Sequence, residues 1–158
     1  MDDACLLTMP GRSKAFQLVC RATTLQYAVS TLKLRDSACG WGSIHVPDVL
    51  VLQNEAGKRV EPRLVSIIYA LEPPEWLQAS RTLHGARCLD EVRERLLKAF
   101  RVAHLHGHNE LIIGDLWACE SSVEPLEPWQ VKEAINDILA SSLDLHGTFQ
   151  KVTLMSTF

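Results

Sequence analysis

The sequence predicts an α/β layered domain, and two observations carry that prediction. Its elements read in order as helix, strand, strand, helix, strand, helix, strand. Two of the joins are therefore strand–helix–strand units, which close as right-handed parallel crossovers. The second observation is the unbroken apolar run Leu111, Ile112 and Ile113. That pattern belongs to a strand covered on both faces. A length of 158 residues suits one compact domain with its own core.

Met1 to Ser13 shows no periodicity and ends in a Pro10–Gly11 turn signal. Phe16, Val19, Cys20, Thr23 and Tyr27 then recur at helical spacing, predicting a helix over Ser13 to Val29 with Ser13 as N-cap. Asp36 to Ser43 is loop chemistry, with Gly40 and Gly42 bracketing Trp41. Ile44 to Leu52 reads as a strand in which Pro47, unable to donate to a ladder, marks an edge, a bulge or the start. Asn54 to Lys58 reads as a turn, and Leu64 to Leu71 as a second, β-branched strand. A long loop follows from Glu72 to Gly85, which either covers a pocket or is anchored to the core through Trp76, the anchor being the favoured reading.

Arg87 to His104 carries one apolar stripe of Leu89, Val92, Leu96, Phe100 and Ala103 opposite a charged face, the mark of an amphipathic helix. Gly107 suits its C-terminal stop, because glycine adopts a left-handed backbone at no Cβ cost. Gly114 opens a loop after the Leu111–Ile113 strand, where open α/β sheets place their ligands. Ser121 to Pro128 is proline-punctuated loop. Trp129 to Leu143 is a second amphipathic helix with Pro128 in its first turn, and Phe149 to Met155 is a last strand.

Composition removes several function classes. A net charge of −3 and a pI near 6.1 offer no basic footprint for nucleic acid or an anionic membrane. Apolar runs are too short to span a bilayer, and the first residues lack a signal-peptide core. Cys5, Cys20, Cys39, Cys88 and Cys119 are odd in number and include no C-x-x-C pair. Free thiols in a reducing, intracellular setting are expected. His104, His106 and His108 straddle a helix end, where a capping role and the helix dipole account for all three without a metal. Cys119 has no evident base beside it, so a packed thiol is its default.

Three stretches together resemble the microbial-type poly(ADP-ribose) glycohydrolase family. I-H-V-P-D-V-L-V-L-Q-N-E-A-G from Ile44, followed by R-L-V-S-I-I-Y-A-L-E-P-P from Arg63, is similar to the family's "sPDV-vfR-d-g … v-vIt-aP" segment. The run from Leu96 to Glu120 resembles its "vL-vA-a-hGh–LvLGAWGCGvF" segment. C-R-A-T-T-L from Cys20 is similar to the "LCR-ST-L" that follows the family's catalytic motif.

The resemblance implies a macrodomain-like three-layer sandwich with a mixed sheet, incomplete on its N-terminal side. It implies a single partial domain over 1–158, recognisable from about residue 11. The family binds ADP-ribose at the strand ends and hydrolyses ribosyl–ribose bonds, using the second glutamate of a G-A-x-A-Q-E-E-x-L-C-R stretch as general acid. Laid on that stretch, Gly11, Cys20 and Arg21 match without a gap. The Q-E-E positions fall on Ala15, Phe16 and Gln17. Neither Phe16 nor Gln17 can protonate a leaving oxygen, and general-acid catalysis is typically worth about 10²–10⁴-fold.

The family's G-G-G segment is absent from the first ten residues. Its second phosphate loop keeps Gly114, and with one inserted residue keeps Trp117 and Cys119, while Ala118 and Glu120 replace glycines. A glycine is needed where backbone approaches phosphate closely, and a carboxylate there repels a diphosphate. By resemblance the ligand-binding residues are Gly11, Gln17, Gly114, Trp117 and Cys119, with no catalytic residue, no metal and no cofactor. The implied partners are ADP-ribose or an ADP-ribosylated protein. Self-association through an uncovered sheet face is the other expectation, from a scaffold that has kept its sheet and lost its chemistry.

Overall fold

The structure is a computed structural model and describes residues 4–8, 14–31, 43–54, 56–70, 85–114 and 127–154. Among these, five strands form one sheet in the order β2-β3-β1-β4-β5. They are β1 (Ala4–Thr8), β2 (Ser43–Gln53), β3 (Arg59–Ala70), β4 (Glu110–Ile113) and β5 (Lys151–Leu154). The helices are α1 (Lys14–Ala22), α2 (Leu25–Thr31), α3 (Gly85–Leu105) and α4 (Pro128–Ser141). β1 is parallel to β3 and β4, β4 is parallel to β5, and β2 joins antiparallel at the edge. The sheet is mixed.

Helices cover both faces, and the pleat decides which side chain meets which helix. Ile68, Leu111 and Ile113 pack with Val92, Leu96, Ala99, Phe100 and Ala103 of α3 and Val131, Ile135 and Ile138 of α4. Ile67, one residue away on the opposite face, packs with Val46, Val49 and Leu25, with Val19 and Cys20 of α1 beside them. The result is three layers. Phe100 is fully buried in the larger core, and its ring lies 5.6 Å from that of Phe149.

β1 lies in the stretch from Met1 to Ser13, where the sequence shows no periodicity and no element was expected. Its five residues lie between two parallel neighbours, Leu7 opposite both Ile68 and Ile113. A central strand carries no polar–apolar alternation, so A-C-L-L-T was too short to signal itself.

The helix expected over Ser13 to Val29 is two helices broken at Thr23 and Thr24. Thr23 Oγ1 donates to the Val19 carbonyl at 2.8 Å and accepts from the Leu25 N–H at 3.1 Å, stopping one helix and starting the next. Thr24 N–H donates to the Leu50 carbonyl, and Leu50 N–H donates back to Thr24 Oγ1, both at 3.0 Å. This reciprocal pair docks the break onto the edge strand β2.

Pro47 sits at a bulge, as its missing donor requires: the β2–β3 register shifts between Val46 and Val49, and Asp48 has φ 57°. The turn at Asn54 to Lys58 is closed by Asn54 Oδ1, which accepts from the Ala56 and Lys58 N–H groups, with Gly57 at φ 73°. β3 begins at Arg59, earlier than the sequence suggested, because this hairpin continues the pairing as far as Gln53–Arg59.

α3 ends as expected at Gly107, with φ 77°. Gly107 N–H donates to the His104 carbonyl at 2.9 Å and His108 N–H to the Ala103 carbonyl at 3.0 Å, a Schellman closure. Gln130 Oε1 accepts from the Glu127 N–H at 2.9 Å to start α4, with Pro128 in the first turn. Arg93–Asp137 at 2.7 Å and Arg101–Asp144 at 2.8 Å tie α3 to α4 and to the turn after it. Among the described residues no helix is long and apolar enough to cross a membrane.

Candidate functional site

The C-terminal ends of β1 and β4 define the candidate site. Leu7 and Ile113 are register partners in adjacent parallel strands. Beyond β1 the chain runs to α1, which packs on the Ile67 face of the sheet. Beyond β4 it runs to α4, which packs on the Ile68 face. Neighbouring parallel strands whose chains leave to opposite faces open a crevice at their carboxyl ends, and α/β proteins bind ligands there.

Gly114 follows β4 directly and is half-buried at this edge of the sheet. Gln17 lies in the first half of α1 with its side chain exposed. Gly114 thus stands at the end of β4 beside the end of β1, and Gln17 lies on the described helix that follows β1 in the chain. Gly11, Trp117 and Cys119 lie outside the described residues, as do Ala118 and Glu120. Phe16 belongs to α1. Of the cysteines, Cys20 is half-buried in the smaller core, and burial pushes its thiol up from the ordinary value. It is a packing residue with little thiolate to offer.

One cluster went unseen in the sequence. His45 of β2 meets two of the three histidines at the end of α3. Its ring stacks on that of His106 at 3.8 Å and 13°, and its Nε2 lies 3.0 Å from His108 Nε2. Burial, with the neighbouring His106 and His108, lowers the His45 pKa to about 4, against a weaker upward pull from Asp48. Sixty residues separate these partners, so spacing could not have paired them. Among the described residues no group of three histidine, cysteine or carboxylate side chains could hold a metal ion.

Structural comparison decides what fold this is. The chain resembles the poly(ADP-ribose) glycohydrolase of Thermomonospora curvata bound to the inhibitor ADP-HPD, with a TM-score of 0.66 and 20% identity. The match covers 97% of this chain and 64% of that one. The chain has the macrodomain-like fold of that glycohydrolase. A second structure of the T. curvata enzyme gives the same TM-score and identity over 62% of its length, and a point mutant of it gives them over 64%. The chain therefore spans a little under two thirds of these glycohydrolase structures. No family model matches the sequence, and no curated protein sequence does.

Proposed function

We propose that this chain is a microbial-type poly(ADP-ribose) glycohydrolase relative that retains an ADP-ribose-binding crevice and lacks ordinary hydrolysis. The observation that carries the reading is the divergence of the chain after Leu7 and Ile113, in a fold like that of a glycohydrolase solved with the inhibitor ADP-HPD. Gly114 stands at that divergence and, by the motif match, belongs to the phosphate loop. Gly11, Trp117 and Cys119 complete the proposed ligand set by the same match. By the motif match Gln17 holds the general-acid position and can only hydrogen-bond, since the N–H protons of an amide are too weakly acidic to be transferred to a leaving oxygen. ADP-ribose or an ADP-ribosylated protein is the ligand class this reading selects.

Calorimetry with ADP-ribose, paired with a single-turnover hydrolysis assay on poly(ADP-ribose), tests both halves. The expected result is heat on titration, no release of ADP-ribose by the native chain, and measurable release by the Gln17→Glu variant. Absence of heat and of any thermal shift at millimolar ADP-ribose would sink the binding claim. Turnover by the native chain would sink the claim of lost hydrolysis.

A second reading, a non-catalytic interaction module, is favoured by the β2–β3 hairpin. β1 pairs with Ser66 to Tyr69 of β3, whereas Arg59 to Leu64 pairs with β2 alone among the described residues. Leu64 and Leu52, diagonal neighbours across that ladder, are 53% and 40% exposed. Light scattering after size exclusion distinguishes the readings. A dimer broken by Leu64→Lys supports self-association through this face, and a clean monomer counts against it.

A further inference from the structure

We propose that His45, His106 and His108 form a proton-sensitive clasp that holds the first half of β2 against the α3–β4 turn at neutral pH and releases it in acid. This half of β2 depends on added fastening. It is the sheet's edge, so Ser43 to Val46 pairs on one side only, with Ile67 to Ala70. The bulge at Pro47 and Asp48 then separates this ladder from the remainder of β2. On the face opposite Val46, whose side chain enters the smaller core, His45 reaches across to the turn that ends α3.

The proton count of the clasp sets its behaviour. An Nε2···Nε2 separation of 3.0 Å holds one hydrogen, so one imidazole donates and the other accepts. With the ring hydrogen of neutral His45 on Nδ1, its Nε2 accepts from His108; burial and the two neighbouring rings oppose the second proton that would end this bond. A proton that arrives on the His45 Nε2 lone pair sets N–H against N–H and ends the bond. It also places a positive charge 3.8 Å from the stacked ring of His106. The groups acting on His45 are His106 and His108, which oppose its charging, and Asp48, which favours it. Asp48 lies within the bulge, so the carboxylate that welcomes the proton belongs to the segment that moves.

The turn side of the clasp stays fixed during release. His106 and His108 flank Gly107, whose closure of α3 uses backbone hydrogen bonds that do not titrate in this range. β4, two residues beyond His108, is flanked by β1 and β5 and holds buried Leu111 and Ile113. Acid therefore frees the edge strand and leaves the central strand in place, which is a local opening below the global transition.

Imidazole nitrogen NMR combined with amide exchange, from pH 7 to 3.5, tests this on the whole chain. At pH 7 the His45 Nε2 is expected to be unprotonated and His108 to carry the shared hydrogen. On acidification His45 titrates well below the ordinary histidine range. Protection at Ile44 to Val46 falls with the same midpoint, by at least about tenfold, while protection at Leu111 to Ile113 is kept. In His45→Gln the acid step at β2 disappears. If that variant does not fold, His106→Ala, which uncovers His45 and removes a like charge, moves the midpoint upward. The proposal is overturned if β2 and β4 lose protection together, if His45 titrates near 6.5, if the step survives in His45→Gln, or if the His106→Ala midpoint does not move. Protection of β2 by added Zn²⁺ at neutral pH, lost in His45→Gln, would also overturn it by making the pair a metal site.

Discussion

Leu7 and Ile113 are register partners in parallel strands, and the next described helices after them, α1 and α4, pack on opposite faces of the sheet. Everything proposed about ligand binding depends on that divergence. On the proposed reading Gly114 stands where backbone comes close to an anionic ligand, and a side chain there would hold the two apart. In an ADP-ribose titration the amide resonances of Ile113 and Gly114 are expected to shift, while that of Gly57 at the β2–β3 turn stays put. Gly114→Val is expected to weaken binding by at least about tenfold with an unchanged core, because the substitution adds bulk only at the strand end. An undiminished affinity would place the ligand elsewhere.

Gly107 carries a different requirement. With φ at 77°, it closes α3 through its own N–H to His104 and that of His108 to Ala103. Among the described residues other than its two chain neighbours, no heavy atom lies within 4 Å of where its Cβ would be, so the cost of a side chain is backbone strain. Gly107→Ala is expected to lower stability by about 1 kcal/mol, and Gly107→Asn by less, since asparagine tolerates the left-handed region. Chemical denaturation with an unchanged slope measures it; equal loss in both variants would point to a steric cause.

The same helix end shows how far sequence can be read. Gly107 was legible because a local rule ties glycine to a helix stop, and Pro47 because a missing N–H has few places to go. Trp129 to Leu143 and Arg87 to His104 declared themselves by period. β1 did not, because a five-residue central strand carries no polar–apolar alternation, and the Thr23–Thr24 break did not, because its partner Leu50 lies 26 residues away. The candidate site was legible at Gly114 through strand and loop pattern. Its placement beside the end of β1 required the fold. His45 was read only as a strand residue, since its partners are brought to it by the packing of α3 on the sheet.

Glu91 and Arg95 pair within α3 with both side chains more than nine-tenths buried. Glu91 Oε2 has no hydrogen-bond partner among the described residues, so this pair sits in the regime where desolvation offsets attraction. Removing one partner leaves a buried charge. Glu91→Ala is expected to cost about 3 kcal/mol, and the double variant Glu91→Leu with Arg95→Met to be neutral or stabilising. A double variant as unstable as the single one would show that the pair contributes net stability. Urea midpoints at pH 7 provide the comparison.

Stability should fall on acidification in two separate windows, each with its own residue. His45 has a folded pKa near 4 against 6.5 in the unfolded chain, so between these values the unfolded state binds more protons. Its contribution is complete above 6.5 and disappears progressively as pH falls toward 4. For this half-buried ring the loss is about 1–2 kcal/mol after solvent screening, or roughly 3–6 °C in Tm. Asp144 behaves as a carboxylate held low, chiefly by its hydrogen bond from Arg101. Its contribution is present above 3.8 and vanishes only as pH falls through the lower folded value. Thermal melts at pH 7, 5, 4 and 3 should therefore show His45→Gln flattening the upper window and leaving the lower one. Arg101→Met should lower Tm slightly at pH 7 and 5 and converge on the native chain at pH 3, weakly throughout, since the pair is exposed. A native Tm that holds constant from pH 7 to 4 would contradict the lowered His45 value and remove the upper window.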